Sequence, residues 1–312
     1  MPSSTPTANS RQTLLAYLAL VVGMVSIGIS PLLVRTAGAP GPVTAFYRLT
    51  IAVVLFAPFF GRGLLKSRPA RPGVLLALLA GLLFALDMTA WTTGVVLGGA
   101  TNPTLLANTA PLWVGLGTVF IFRRRLGPGF WLGLLLALAG AAVILGLDAQ
   151  QAAHVGLGSL FGLLAGVFYG GYFLVAERGR GHLRALSFWW LSAAASSVAL
   201  LVITFILRQP LTGYPPRTWL LFLAMGLIPQ VAGYLSITYA QGHLPAALVS
   251  PTLLGQPVVT ALLAWPLLGE VITPVEALGG LMVLGGVLIV HRSSERKAPV
   301  TESVAAPLSP GD

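Results

Sequence analysis

The chain has 312 residues, 56% of them hydrophobic and only 8% charged, with no cysteine and a formal net charge of +10. A soluble domain devotes about a quarter of its residues to charge, so this composition excludes a water-facing shell and suits lipid, as does a mean hydropathy of +0.87. The lack of cysteine excludes a disulfide framework, a thiol nucleophile and thiolate metal sites, and no aromatic-interleaved basic patch accompanies the charge, which excludes nucleic acid as a partner.

A spanning helix needs about 20 mostly apolar residues. That window predicts ten spans, at 14–34, 43–60, 74–96, 102–122, 129–147, 158–177, 186–207, 217–239, 245–268 and 274–291. The first is longer than a signal-peptide core and reads as a span. Gly, Pro and Arg clusters separate the segments. Residues 1–13 and 293–312, rich in Ser, Pro, Thr and charge, are expected to be disordered cytoplasmic tails.

Loop charge gives the orientation. With the N-terminus in the cytoplasm, cytoplasmic segments hold 14 of the 18 basic residues, including Arg62, Lys66, Arg68 and Arg71, then Arg123 to Arg125, then Arg178, Arg180 and Arg184. The opposite side holds Arg35, Arg208 and Arg217, and Arg48 lies within the second span. This asymmetry places both termini in the cytoplasm and requires an even number of spans.

The chain also repeats. At a shift of 146, Pro111, Pro128, Gly133 and Gly140 fall on Pro257, Pro274, Gly279 and Gly286, and Leu132, Leu135 and Leu138 fall on leucines. At a shift of 143, Gly23, Gly28, Arg35 and Gly38 meet Gly166, Gly171, Arg178 and Gly181. Two halves follow, 14–147 and 158–292. Five is odd, so the second half enters the membrane upside down. The expected fold class is therefore an all-α integral membrane protein with ten transmembrane helices as two inverted five-helix repeats. That is a design of secondary transporters, whose sites lie near the midplane between the halves.

Polar residues inside spans are the site candidates. Asp87, in the middle of the third span, is placed to bind a substrate ammonium group or carry a coupling proton, or to pair with Arg48 or cap a broken helix. Arg48 is placed to hold a substrate carboxylate by a two-pronged contact, or to snorkel or pair with Asp87. Trp91 lies one turn after Asp87. Gln230, Tyr234, Thr238 and Gln241 form a stripe in the eighth span, as do Thr252, Gln256 and Thr260 in the ninth, while Thr104, Asn108 and Pro111 share a face of the fourth. These stripes line a cavity or bond between helices. Pro111 and Pro257, each lacking a backbone donor, are candidate helix breaks. No metal-ligand pattern, phosphate loop or nucleophile elbow is present, and no cofactor is expected.

On Arg48, Pro111, Pro257, the run Leu267-Leu268-Gly269-Glu270 and the glycines Gly279-Gly280 and Gly285-Gly286-Val287, residues 14–292 resemble the EamA-type members of the drug/metabolite transporter superfamily. There are two departures. Val22 stands where the family often has Trp before the glycine of the first span, and Arg123-Arg124-Arg125 replaces a Gly-Glu-Arg closing the fourth. The resemblance implies a permease for metabolite efflux or exchange, of amino acids or similar small molecules, in a bacterial inner membrane. It also implies a central cavity lined by helices 1, 3, 4, 6, 8 and 9. The partners expected are a small-molecule substrate, a coupling proton and membrane lipids. A lipid or lipid-linked precursor flippase is the alternative, and a non-transporting membrane protein or a membrane-embedded enzyme is disfavoured for want of a soluble domain or a catalytic cluster. The sequence sets no oligomeric state.

Overall fold

The structure is a computed structural model that describes residues 10–67, 71–98, 104, 106–144, 156–179, 181–268 and 273–295. Both expected tails, the link near 150 and Gly269-Glu270 fall outside the described residues, apart from the tail residues beside the first and last helices. Every regular element among the described residues is helical. In chain order these are α1 (Ser10–Gly28), α2 (Ser30–Ala37), α3 (Gly41–Ser67), α4 (Arg71–Gly98), α5 (Ala110–Phe120), α6 (Pro128–Ile144), α7 (Leu157–Gly179), α8 (Ala185–Ile206) and α9 (Pro216–Met225). A π-helical stretch (Gly226–Tyr234) leads into α10 (Leu235–Gln241). Then come α11 (Ala246–Thr252), a 3₁₀ turn (Leu253–Gly255), α12 (Gln256–Leu268) and α13 (Pro274–Glu295).

Seven helical stretches are long and apolar enough to cross a membrane: 11–28, 41–59, 71–94, 157–179, 185–206, 216–241 and 246–263. Three shorter apolar helices, at 110–120, 128–144 and 277–293, accompany them. The surface is inverted relative to a soluble protein. Leu278, Leu281, Leu284 and Leu288 are exposed along one face of α13, and Val198, Val202 and Phe205 along α8, whereas Arg48, Asp87, Gln230 and Ser250 are buried. Hydrocarbon is the solvent that makes this arrangement stable. Most hydroxyls inside the helices satisfy themselves. Thr92, Thr118, Thr204, Thr252 and Thr260 donate to the carbonyl four residues back.

The first predicted span is interrupted. Turn residue Ile29 separates α1 from α2, where Pro31 sits in the first turn and so breaks the helix at little cost. Pro111 stands at the start of α5, just after a turn at Asn108 and Thr109. Pro257 stands in the first turn of α12, just after the 3₁₀ turn. The two interruptions occupy equivalent places in the repeat.

Glycines set the closest helix approaches. α6 and α13 run antiparallel. A Cβ on Gly133 would meet the Gly286 carbonyl at 2.6 Å, and one on Gly140 would meet that of Gly279 at 2.5 Å. The main core joins α1, α3, α4, α7, α8, α10 and α11 around Leu49, Phe84, Phe173 and Trp189. A second cluster joins α6, α11 and α13 around Phe130 and Leu134.

Candidate functional site

Arg48 projects from α3 into the bundle and is 5% exposed. Its Nε donates to Gln230 Oε1 (3.1 Å) and its Nη1 to Ser30 Oγ (3.2 Å). The guanidinium carbon lies 5.6 Å from the centre of the Tyr234 ring, within cation–π range. Local structure makes these contacts. The α1–α2 break puts Ser30 at a helix start. The π-helical stretch, with Pro229 inside it, carries both Gln230 and Tyr234. Gly226 lets that stretch approach α3, since a Cβ there would lie 2.8 Å from Ile51 Cγ2 and 3.2 Å from the Arg48 carbonyl.

A guanidinium has five N–H donors, and among the described residues Arg48 uses only those to Gln230 and Ser30. Asp87, on α4, is 3% exposed. It sits within electrostatic range of Arg48, Tyr234 and Tyr169. The arginine's hydrogen bonds run to neutral partners, so acid and base face each other at longer range than a direct bridge. An acid, a base with spare donors, an amide and a phenol therefore converge from three helical segments. That set can bind groups of both charges.

Two small chambers lie in the bundle core, the first beside Gln230 and Tyr234. One, of about 10 Å³, is lined by Phe84, Tyr172, Trp189, Ser192, Gln230 and Tyr234, among others. It therefore draws on α3 and α8, the second and seventh predicted spans, beyond the six helices the resemblance implies. The other, of about 30 Å³, is lined by Asn108, Pro111, Tyr169, Ser250 and Gln256, among others. Each has room for about one or two waters. Aromatic rings stand between them. Phe84 contacts Tyr234 (5.0 Å between centroids), Tyr172 (5.4 Å) and Tyr169 (6.3 Å), and Tyr169 contacts Phe173 (4.8 Å).

Of the residues singled out in the sequence, Arg48, Asp87, Gln230 and Tyr234 thus come together, and Asn108, Pro111 and Gln256 gather at the second chamber. Pro257 follows Gln256 at the start of α12 and lines neither chamber. Trp91 points elsewhere. Its indole N–H donates to Thr104 Oγ1 (3.1 Å), and it too lines neither chamber. Sequence reasoning missed Ser30, Tyr169 and Ser250. Ser30 had a usable signal, the proline after it inside a span. No group of His, Asp or Glu able to hold a metal occurs among the described residues.

Residues 14–146 and again 156–292 match the model of the EamA-like transporter family. The chain belongs to that family. It is accordingly a multi-pass membrane protein of a transporter family and not an enzyme. An uncharacterized transporter, YdfC, of Bacillus subtilis (strain 168) is 26% identical over 252 residues, 79% of this chain and 80% of that one. A probable terminal-alkyne amino-acid exporter of Streptantibioticus cattleyicolor is 26% identical over 278 residues, 89% of each chain. A solved crystal structure superposes with a TM-score of 0.75 at 20% identity, over 92% of this chain and 99% of that one, and so shares the fold.

Proposed function

We propose that this chain is a secondary carrier that exports or exchanges small zwitterionic metabolites, amino acids foremost, across a bacterial inner membrane by alternating access. The observation that carries the reading is the buried Arg48–Asp87 pair. Two opposite charges inside a lipid-exposed bundle, not bonded to each other and with guanidinium donors to spare, suit a ligand that brings a carboxylate and an ammonium group. The exporter from Streptantibioticus cattleyicolor acts on an amino acid by its name, which supports the same class.

In this reading the ten helical regions all span, with the termini in the cytoplasm. The segments 14–147 and 158–292 are inverted halves. Two findings support that. The family model matches twice. The glycine contacts between α6 and α13 pair Gly133 with Gly286 and Gly140 with Gly279. The 146-residue repeat turns each pair into the other. Antiparallel helices exchanged in this way imply a two-fold axis in the membrane plane. The chambers are far smaller than the ~300 Å³ at which ligand sites begin. The helices must part to admit a substrate, and the breaks beside Pro31, Pro111, Pro229 and Pro257 are where they bend.

The test is transport by the purified chain in proteoliposomes without ATP. Wild type should move amino acids in counterflow. Asp87→Asn should reach the membrane in normal amounts yet transport at least about tenfold more slowly, the equivalent of losing 1.4 kcal/mol of binding. Wild-type rates for Asp87→Asn at every pH would refute the role given to this acid, and with it proton carriage by Asp87.

A further inference from the structure

We infer that the second chamber is a neutral hydrogen-bonding subsite that receives an uncharged polar group, a hydroxyl or carboxamide, on the substrate. The inference rests on the carrier reading above and adds to it which substrates are chosen.

The chamber lies where the two equivalent helix interruptions face each other. Asn108 and Pro111 come from one, Ser250, Leu253 and Gln256 from the other, and Tyr169 of α7 closes the side. None of these six is charged. Ser250 is 2% exposed, and its Oγ is buried without a hydrogen-bond partner. The Tyr169 hydroxyl is buried too, with Tyr234 as its polar neighbour. An unpaired buried hydroxyl costs about 1–3 kcal/mol. Most Ser and Thr hydroxyls with a bond shown here use a backbone carbonyl of their own helix, and among the described residues Ser250 Oγ is left, with Thr238 Oγ1, as a buried hydroxyl without one. Asn108 spends an amide hydrogen on the Thr104 carbonyl (3.0 Å), which leaves its oxygen free to accept. Donors and acceptors of neutral type therefore converge on one space of about 30 Å³, enough for a hydroxyl or a carboxamide. The contacting rings of Phe84, Tyr172 and Tyr169 link its wall to that of the chamber beside Gln230 and Tyr234. A substrate holding Arg48 and Asp87 with its charged ends would send its side chain this way.

A site built to bond a hydroxyl or amide rejects the analogue that lacks it, because its own groups are then stranded. The test uses isosteric pairs: serine against 2-aminobutyrate, threonine against valine, asparagine against leucine. Wild type in proteoliposomes should prefer the polar member of each pair by at least about tenfold. Ser250→Ala should reduce the preference below about threefold while transport of the apolar member holds or rises, because an orphan donor has been removed. Gln256→Leu serves as a second variant should Ser250→Ala misassemble. Equal transport of both members, or an undiminished preference in both variants, overturns the inference and leaves the carrier reading standing. Transport of neither member also overturns it, and the Asp87→Asn comparison with other solutes then decides the carrier reading separately.

Discussion

At the scale of single residues, buried charge dominates. Removing one partner of a buried pair leaves the other uncompensated, a cost of about 3–5 kcal/mol when nothing else satisfies it. Arg48 has Gln230, Ser30 and the Tyr234 face besides Asp87, so Asp87→Asn is tolerable for folding. Arg48→Gln strands Asp87 and should lower the melting temperature in detergent more than Asp87→Asn does. The double variant Arg48→Gln/Asp87→Asn should recover much of that loss without recovering transport, and a double variant no more stable than Arg48→Gln would count against the electrostatic coupling. Glu177 offers a contrast in the opposite environment. It accepts from Arg124 Nη1 (2.6 Å) and from the backbone N–H of Ala246 (2.8 Å), at the start of α11. The Arg124 side chain is 58% exposed, so Arg124→Ala should cost under about 1 kcal/mol. Glu177→Ala also uncaps α11 and should cost about 1–2 kcal/mol. Denaturant or thermal unfolding of the two variants side by side distinguishes them.

Elements meet through their small residues. The α6–α13 seam has backbone against backbone at Gly133, Gly140, Gly279 and Gly286, the contact that stabilises helix pairs where lipid removes any hydrophobic drive. Gly286→Leu would drive a side chain into the Ala137 amide and the Gly133 carbonyl, each 2.5 Å from its Cβ. It should destabilise by at least about 1–3 kcal/mol. The adjacent Gly285 has only Leu136 Cδ2 at 4.0 Å, so Gly285→Ala should be nearly silent in the same melting experiment. Equal effects at 285 and 286 would show that the seam does not pack as described. Elsewhere elements meet through hydrogen bonds: Thr260 Oγ1 reaches the Gly28 carbonyl (2.7 Å), binding α12 to the end of α1 at its break, and Ser196 Oγ reaches the Gly81 carbonyl (2.7 Å), binding α8 to α4.

For the whole molecule, topology is the decisive property. The loop after α5 carries Arg123, Arg124 and Arg125, and the loop between α8 and α9 carries Leu211 and Gly213. In the proposed topology the first is cytoplasmic and the second outside, as the positive-charge asymmetry favours. The chain has no cysteine of its own, so single substitutions report cleanly. In oriented cells an impermeant maleimide should label Gly213→Cys and spare Arg124→Cys until the membrane is opened. Labelling of both from the same side would sink the ten-span topology.

Membrane residence, the approximate helix positions and the pairing of Pro111 with Pro257 were determined by sequence alone, because each is a one-dimensional property: apolar length, charge asymmetry, repeat spacing. Arg48, Asp87, Gln230 and Tyr234 were legible for the same reason, since a polar group in an apolar span stands out. Which of them meet was decided only by the tertiary structure. That depends on how far each helix is rotated about its axis, and the π-helical stretch at Gly226–Tyr234 and the break at Ile29 alter that rotation locally. Trp91 shows the consequence, with the right spacing from Asp87 but a bond to Thr104 instead of a place in the chambers. Ser250 and Tyr169 show the converse. Ser and Tyr are unremarked in a span until their neighbours are known. Only the packed bundle reveals that Ser250 Oγ is left without a partner and that Tyr169 lines the same chamber.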